Sequence, residues 1–357
     1  MSTSGAAPQS YREVVLDNAQ TVSSVESSVR SLTYILPGRF ANAEVVSEAL
    51  YASIGLIGHY HDSILAREAR RQLPHTPVSR FNRYTIALHR SSRLASTVSI
   101  ALTVVQTFEV FCEMLAAKFG GKKIRSRTIL TIETIKVVCR LLLLRLSGNR
   151  MLLHSQMPDR EYDVTKMKPA SAVPGTSWRG KRTGREHIPV ISLAGSDESA
   201  RAMQFLQARA LTELSASPLQ LVSRLTGLRE IGEILFILRP LLYVLAIKKY
   251  GSRSYKPWVL SLLVELFSFG TAFNPHTRAL KSSLTDLERD EVKRRAFLFL
   301  YYLLRNPFFG DYTKERLVAF STSLSTKPVI SFFSGVIQDY IPLWENYHFY
   351  TASGNRR

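Results

Sequence analysis

The stretch from Leu228 to Trp258, LREIGEILFILRPLLYVLAIKKYGSRSYKPW, constrains this chain more than any other. From Ile231 to Ile247 nearly every residue is apolar and nothing alternates, so the pattern predicts a helix that is buried or touches a membrane. Its seventeen residues meet the lower length limit for crossing a bilayer. Roughly eleven Leu, Ile, Val and Phe residues each favour insertion by about 0.3–0.6 kcal/mol, near −5 kcal/mol together. Arg239 at the centre opposes this by about 2.5–3.5 kcal/mol, and Glu233 near one end by less. The sum is close to zero, which leaves three placements open: spanning a bilayer, lying in its surface, or packing inside a helical bundle. Pro240 removes a backbone donor and predicts a kink. Lys248 and Lys249 suit a helix end at a head-group boundary, and Gly251 suits the stop.

Composition narrows the partners. The formal net charge of +19 over 357 residues, with a pI near 10.1, favours anionic surfaces, either phospholipid or nucleic acid. A mean hydropathy of −0.01 argues against a chain built mostly of spanning helices. The two cysteines, Cys112 and Cys139, make no disulfide framework and suit a reducing, cytosol-facing setting. The N-terminus lacks a secretory pattern, and the C-terminal Gly354-Asn355-Arg356-Arg357 is not a peroxisomal matrix address.

In chain order, residues 1–10 read as a disordered N-terminus and 11–153 as an N-terminal helical half. Ser10 and Glu13 form a capping box for a first helix, whose apolar seam Asn18 interrupts and which Pro37-Gly38 stops. Asn42 caps a second, with Val46, Leu50, Ile54, Ile57 and Leu65 on its buried side. His59 and His61 stand two apart and point to different helix faces, so a polar helix end explains them better than a metal site. Arg67, Arg70, Arg71 and Arg80 gather around Pro74 and Pro77. They read either as a solvated helix end or as a basic membrane-targeting cluster. A long helical pattern runs from Phe81 to Phe119, uncharged between Leu94 and Val105, and Gly120-Gly121 ends it. The next helix is basic and amphipathic. Ile124, Ile132, Ile135, Cys139, Leu142 and Leu146 share a face, and Lys122, Lys123, Arg125, Arg127, Lys136, Arg140 and Arg145 supply the charge. This is the composition of a helix lying in a membrane interface, or equally of a surface helix with snorkelling cations.

Residues 154–198 carry prolines, glycines and no sustained period, so they read as a linker. Residues 199–345 read as a C-terminal helical half, and 346–357 as a tail. Within that half, Trp258 to Phe273 is a further apolar run with Glu265 inside it. Residues 283–304 begin charged and turn apolar. The expected fold is all-α: a membrane-associated bundle of long amphipathic helices with one or two candidate membrane-embedded segments. Glu233, Arg239 and Pro240 are the polar and kinking positions of the best of these.

No phosphate loop, dinucleotide fingerprint, zinc spacing or nucleophile elbow occurs, so no catalytic, metal or cofactor site is expected. Nucleic acid is disfavoured because the cations lie along amphipathic helices instead of interleaving with aromatics on one face.

Several blocks resemble the peroxin-16 family of peroxisomal membrane biogenesis factors: ESSVRSLTYILPGRF at 26–40, YHDSIL at 60–65, AREARRQL at 66–73, EMLAAKFGGKKIRSRTILTIETIKVVCRLLLL at 113–144, GEILFILRPLLYVLAIKKYG at 232–251 followed by KPW, and ERDEVKRRAFLFLYYLLRNPFF at 288–309. AREARRQL occupies the place of the family's basic membrane-targeting segment. The resemblance implies a non-enzymatic protein of the peroxisomal membrane, reached partly through the endoplasmic reticulum. It implies recruitment of the docking receptor peroxin-3, and the shuttle peroxin-19 and peroxisomal membrane proteins as further partners. By family position Leu94 to Ala117 and Ile231 to Ile247 are the expected membrane helices, and the Trp258 to Phe273 run is left unassigned. The alternative is a peripheral scaffold held on an anionic phospholipid membrane without spanning it.

Overall fold

The computed structural model describes residues 11–36, 43–72, 78–154, 156–161, 178–179, 186–187, 218–272, 284–325 and 331–346. The fold is all-α, as the long 3.6-residue periods predict. Strand pairing among the described residues is confined to a two-residue antiparallel ladder, β1 (Trp178–Arg179) against β2 (Glu186–His187), and one isolated bridge between Arg150 and Arg224. The chain divides into two compact units.

The first unit takes in residues 1–28, 57–79 and 160–218. The single helix expected up to Pro37 is two: α1 (Tyr11–Asp17) is separated by Asn18 from α2 (Ala19–Ile35). Together with the later turns of α3 (Ala43–Gln72) they enclose a core of Val15, Leu16, Ala19, Ile64 and Leu65. His61 is buried here, within 2.5 Å of both the Tyr11 hydroxyl and Glu26 Oε1. It therefore pins three helices. The expected inner face of α3 needs correction: Leu65 is buried as expected, but Val46, Leu50 and Ile57 are exposed, while His61 here and Ala43, Ser47 and Ala52 in the part of α3 that belongs to the second unit are buried. Small and polar side chains fill that contact, so a purely apolar stripe misplaces it. Residues 1–10, most of 154–198, 199–217 and 347–357 lie outside the described residues, as do the expected caps Ser10 and Asn42.

The second unit takes in residues 29–56, 80–159 and 219–357. The expected helix from Phe81 to Phe119 is two helices. Ser92 adopts an extended conformation, accepts from the Ala95 amide, and so caps α5 (Arg93–Leu146) after α4 (Arg80–Ser91) has ended. Helix α5 is itself a hairpin. Gly121 has φ 66°, a left-handed value that glycine adopts without penalty, and the chain reverses there. Glu109 and Lys136 lie 2.9 Å apart, whereas 27 residues of straight helix would separate them by about 40 Å.

The remaining elements are a 3-10 turn (Pro218–Leu221), α6 (Leu228–Tyr250), α7 (Tyr255–Ala272), α8 (Asp286–Phe297), a 3-10 segment (Leu298–Leu304), a π-helical turn (Phe309–Thr313), α9 (Lys314–Ser325) and α10 (Ser331–Asn346). Helix α8 begins on a capping box of Thr285 and Glu288. One core joins α4 and α5 (Leu88, Leu102, Val137, Leu143, Leu144) to α6 and α8 (Ile237, Val292) through Met151 to Leu153. Segments before and after residues 154–198 thus build a single interior.

Candidate functional site

Helices α6 and α7 form an antiparallel hairpin whose contacts are polar. Near its base Gly232 lets the two backbones approach, since a Cβ built on it would fall on the Thr271 hydroxyl. Further along, Arg239 pairs with Glu265. Both are almost fully buried. Nearer the loop Arg305 donates to Ser261 Oγ at 3.2 Å and lies over the rings of Tyr243 and Tyr302. Trp258 donates to the Tyr302 carbonyl at 3.1 Å.

On its other side α6 joins a charged seam. Arg295 of α8 donates to Glu233 and Glu291 and to the Leu152 carbonyl, and Arg294 donates to Glu291. Burial pushes the Arg295 guanidinium down, but Glu233 and Glu291 outweigh it and hold its pKa above the usual value. The carboxyl of Glu291 is lowered: burial would raise it, and the hydrogen bonds from Arg294 and Arg295 prevail. His154 beside them is depressed to about 4, mainly by burial and then by Arg294. These arginines, with Arg140 and Arg239, line a small cavity between α5, α6 and α8.

The outer side of α7 is unlike that of an ordinary bundle helix. Its buried positions are Pro257, Ser261, Glu265, Ser268 and Thr271. Its exposed positions from the second turn onward are Val259, Leu260, Leu263, Leu266, Phe267 and Gly270. At 100° per residue these sets occupy opposite sides, the apolar one spanning about 120°. The helix is inside out: polar toward the protein, apolar toward the surroundings. Leu263 is 58% exposed and Phe267 50%, while Glu265 between them is 2%. Full burial would contribute about 1.5–3 kcal/mol for each such side chain, and most of that is forgone in water. Contiguous apolar faces of this kind mark contact surfaces. At the start of α7 the loop carries exposed Lys248, Lys249, Arg253 and Lys256, with Lys249 and Lys256 over the Tyr250 ring.

The residues singled out by sequence are dispersed. Arg67 is exposed; the side chains of Arg70 and Arg71 lie outside the described residues. Arg80 is exposed and pairs with Asp286. Lys122, Lys123 and Arg127 are exposed, and Arg145 is exposed while reaching Glu230 at 3.3 Å. Arg125 instead pairs with Glu113 across the α5 hairpin at 2.6 Å. Lys136 is 0% exposed, held by Glu109 at 2.9 Å and Glu133 at 2.6 Å, so its ammonium faces no surface. Burial raises the Glu133 carboxyl to about 7 against the pull of Lys136. Arg140 is half-buried; burial lowers its pKa, with Glu133 and Glu109 opposing. Glu233, Arg239 and Pro240 are buried. Of the three placements open for Ile231 to Ile247, the structure takes the bundle. Among the described residues no helix is long and apolar enough to cross a membrane, which corrects the expectation of spans at Leu94 to Ala117 and Ile231 to Ile247. Their charged side chains are paired, Glu109, Glu113 and Arg239 inside helical hairpins and Glu233 with Arg295 of α8. No group of three His, Cys, Asp or Glu among the described residues could hold a metal ion.

Sequence reading missed the face of α7. The usable signal was the 4-3-3 spacing of Ser261, Glu265, Ser268 and Thr271, a polar stripe inside an apolar run.

The family model described as "Peroxisomal membrane protein (Pex16)" matches residues 9–346. The chain is 29% identical to "Peroxisome biogenesis protein 16" of Arabidopsis thaliana, over 91% of this chain and 94% of the relative. It is 34% identical to "Peroxisome biogenesis factor 16" of Dictyostelium discoideum over 35% of this chain and 31% of the relative. It is 21% identical to "Peroxisomal membrane protein PEX16" of Schizosaccharomyces pombe, over 69% of this chain and 70% of the relative. No solved structure matches.

Proposed function

Because this chain belongs to the Pex16 family of peroxisomal membrane proteins, the peroxisome biogenesis factors, we propose that it is a non-enzymatic scaffold of the peroxisomal membrane. It recruits the docking receptor peroxin-3 and, with the shuttle peroxin-19, assists insertion of peroxisomal membrane proteins. It reaches that membrane in part through the endoplasmic reticulum. The observation that carries the reading is the family match along residues 9–346, and the apolar side chains left exposed on the helices are in keeping with it.

A specific observation favours attachment without a span. The described helices lack one long and apolar enough to cross a bilayer, while the chain offers exposed cations and an apolar helix face to an anionic surface. The basic cluster of Arg67, Arg70, Arg71 and Arg80 serves as the address in this reading.

The test is complementation. In cells lacking their own family member, this chain restores peroxisomal membranes and brings peroxin-3 to them. Restored membranes with peroxin-3 still dispersed would remove the recruitment step from the proposal; no restoration would remove the function.

A further inference from the structure

We propose that α7 lies in the plane of an anionic phospholipid monolayer, its Val259–Phe267 face among the upper acyl chains and the Lys248–Lys256 loop at the head groups. The proposal rests on the membrane-scaffold reading and says which element makes the contact and how deep it goes.

Three observations carry it. First, α7 is inverted: Ser261, Glu265, Ser268 and Thr271 face the protein, and an unbroken apolar face points away. That face carries aliphatic side chains, one phenyl ring and one glycine, with no hydrogen-bonding side chain to satisfy. Acyl chains ask for none, which suits a helix lying with its apolar side buried about 5–10 Å into the head-group boundary. Second, the polar face is turned to partners within the protein, Glu265 ion-paired with Arg239 and Ser261 hydrogen-bonded to Tyr302 at 2.9 Å. The helix therefore has a protein side and a lipid side, where a lone spanning helix would need lipid compatibility all round. Its 18 residues reach only about 27 Å. Third, the adjoining loop supplies charge complementarity. Lys248, Lys249, Arg253 and Lys256 are exposed, each cation near an anionic surface raising affinity about fivefold before salt screening. Exposed Tyr250 and Tyr255 flank the loop, the amphipathic ring type found at membrane interfaces.

The test uses the purified full-length chain with both cysteines changed to serine and a single cysteine at Val259, Leu263 or Phe267. Each carries an environment-sensitive fluorophore, read with vesicles of phosphatidylcholine containing phosphatidylserine and acyl chains labelled with quenchers at two depths. All three positions are expected to shift to the blue and to report the same shallow depth. Binding to vesicles of phosphatidylcholine alone is expected to be at least about tenfold weaker. Leu263→Gln with Phe267→Gln is expected to weaken vesicle binding about a hundredfold while the circular dichroism stays unchanged, because both side chains are exposed in the folded chain.

A depth that increases steadily from Val259 to Phe267 would overturn the proposal in favour of a span. So would vesicle binding with silent fluorophores, which puts the contact elsewhere and leaves the scaffold reading standing. Silent fluorophores with a concentration-dependent dimer would assign the face to a second copy and equally overturn it. Shallow insertion in a chain that fails complementation would retain the α7 seat and remove the biogenesis function.

Discussion

Glu233 of α6 accepts from both terminal nitrogens of Arg295 in α8, 2.6 Å from Nη1 and 2.8 Å from Nη2, with all of these atoms in buried side chains. The pair joins two helices whose sequence positions are 62 apart. Removing Glu233 leaves the buried Arg295 with Glu291 as its one carboxylate, and breaking a buried pair costs up to about 3–5 kcal/mol. Glu233→Ala is therefore expected to lower unfolding stability by that amount in a denaturant titration. Glu233→Met combined with Arg295→Met is expected to regain part of the loss, since apolar residues of similar volume replace buried pairs at little cost. A single variant of wild-type stability would contradict the account of this seam.

The hairpin of α6 and α7 makes a second prediction, through Gly232. Alanine is normally the better helix former by about 1 kcal/mol. Here its Cβ would collide with the hydroxyl of Thr271, which also donates to the Ser268 carbonyl at 2.7 Å. Overpacking of this kind costs about 1–3 kcal/mol, so Gly232→Ala is expected to destabilise, against its helix propensity. Adding Thr271→Ala should return most of the stability. Thermal melts of the two variants check the sign: a Gly232→Ala protein more stable than wild type would mean that the helices do not approach this closely.

The half-buried His154 and the buried Glu133 set opposing pH dependences. The folded pKa of His154 is about 4, below its ordinary 6.5. The unfolded chain then binds the extra proton between these values, so this contribution is complete above pH 6.5 and lost as pH falls to about 4. It amounts to about 3 kcal/mol at most. Glu133 has the opposite sign. Its folded pKa is about 7 against an ordinary 4.5, so its protonated form favours folding and stability falls as pH rises between them. Urea titrations from pH 4 to 8 should therefore show a His154→Gln variant losing the acid-side decline. A variant with an unchanged pH profile would mean that His154 is accessible to water.

How much of this could be read from the residues differs from element to element. The helices and the turn at Gly121 follow from local periods and from glycine, both of which act over a few residues. The pairing of Arg239 with Glu265, or of Arg295 with Glu233, does not. An isolated Arg239 in an apolar run looks like a penalty against burial until a carboxylate from another helix neutralises it. Lys136 misled for the same reason, because a lysine on an amphipathic helix looks like a surface cation when its acids, Glu109 and Glu133, are not known to converge on it. The apolar run at 258–273 could be read as a core helix by composition; only the placement of Ser261 and Glu265 against α6 and its neighbours reveals which side faces out.

The basic cluster gives a prediction in cells. Arg67 is exposed near the end of α3. Replacing Arg67, Arg70 and Arg71 with Ala removes at most about 3 kcal/mol of attraction to an anionic surface, and less in salt. Exposed arginines contribute little to a helix pair, so the triple variant is expected to remain helical and abundant yet to miss peroxisomes on imaging. Normal placement would assign the cluster to solvent, and degradation would make the arginines structural.

The central claim, a scaffold held on its membrane by the outward face of α7, is tested most directly by washing. Peroxisomal membranes from cells expressing the chain are stripped with concentrated salt, which screens charge but leaves apolar burial in place. The account predicts that the wild-type chain stays with the membranes and that Leu263→Gln with Phe267→Gln is released. Complete release of the wild-type chain by salt would contradict it.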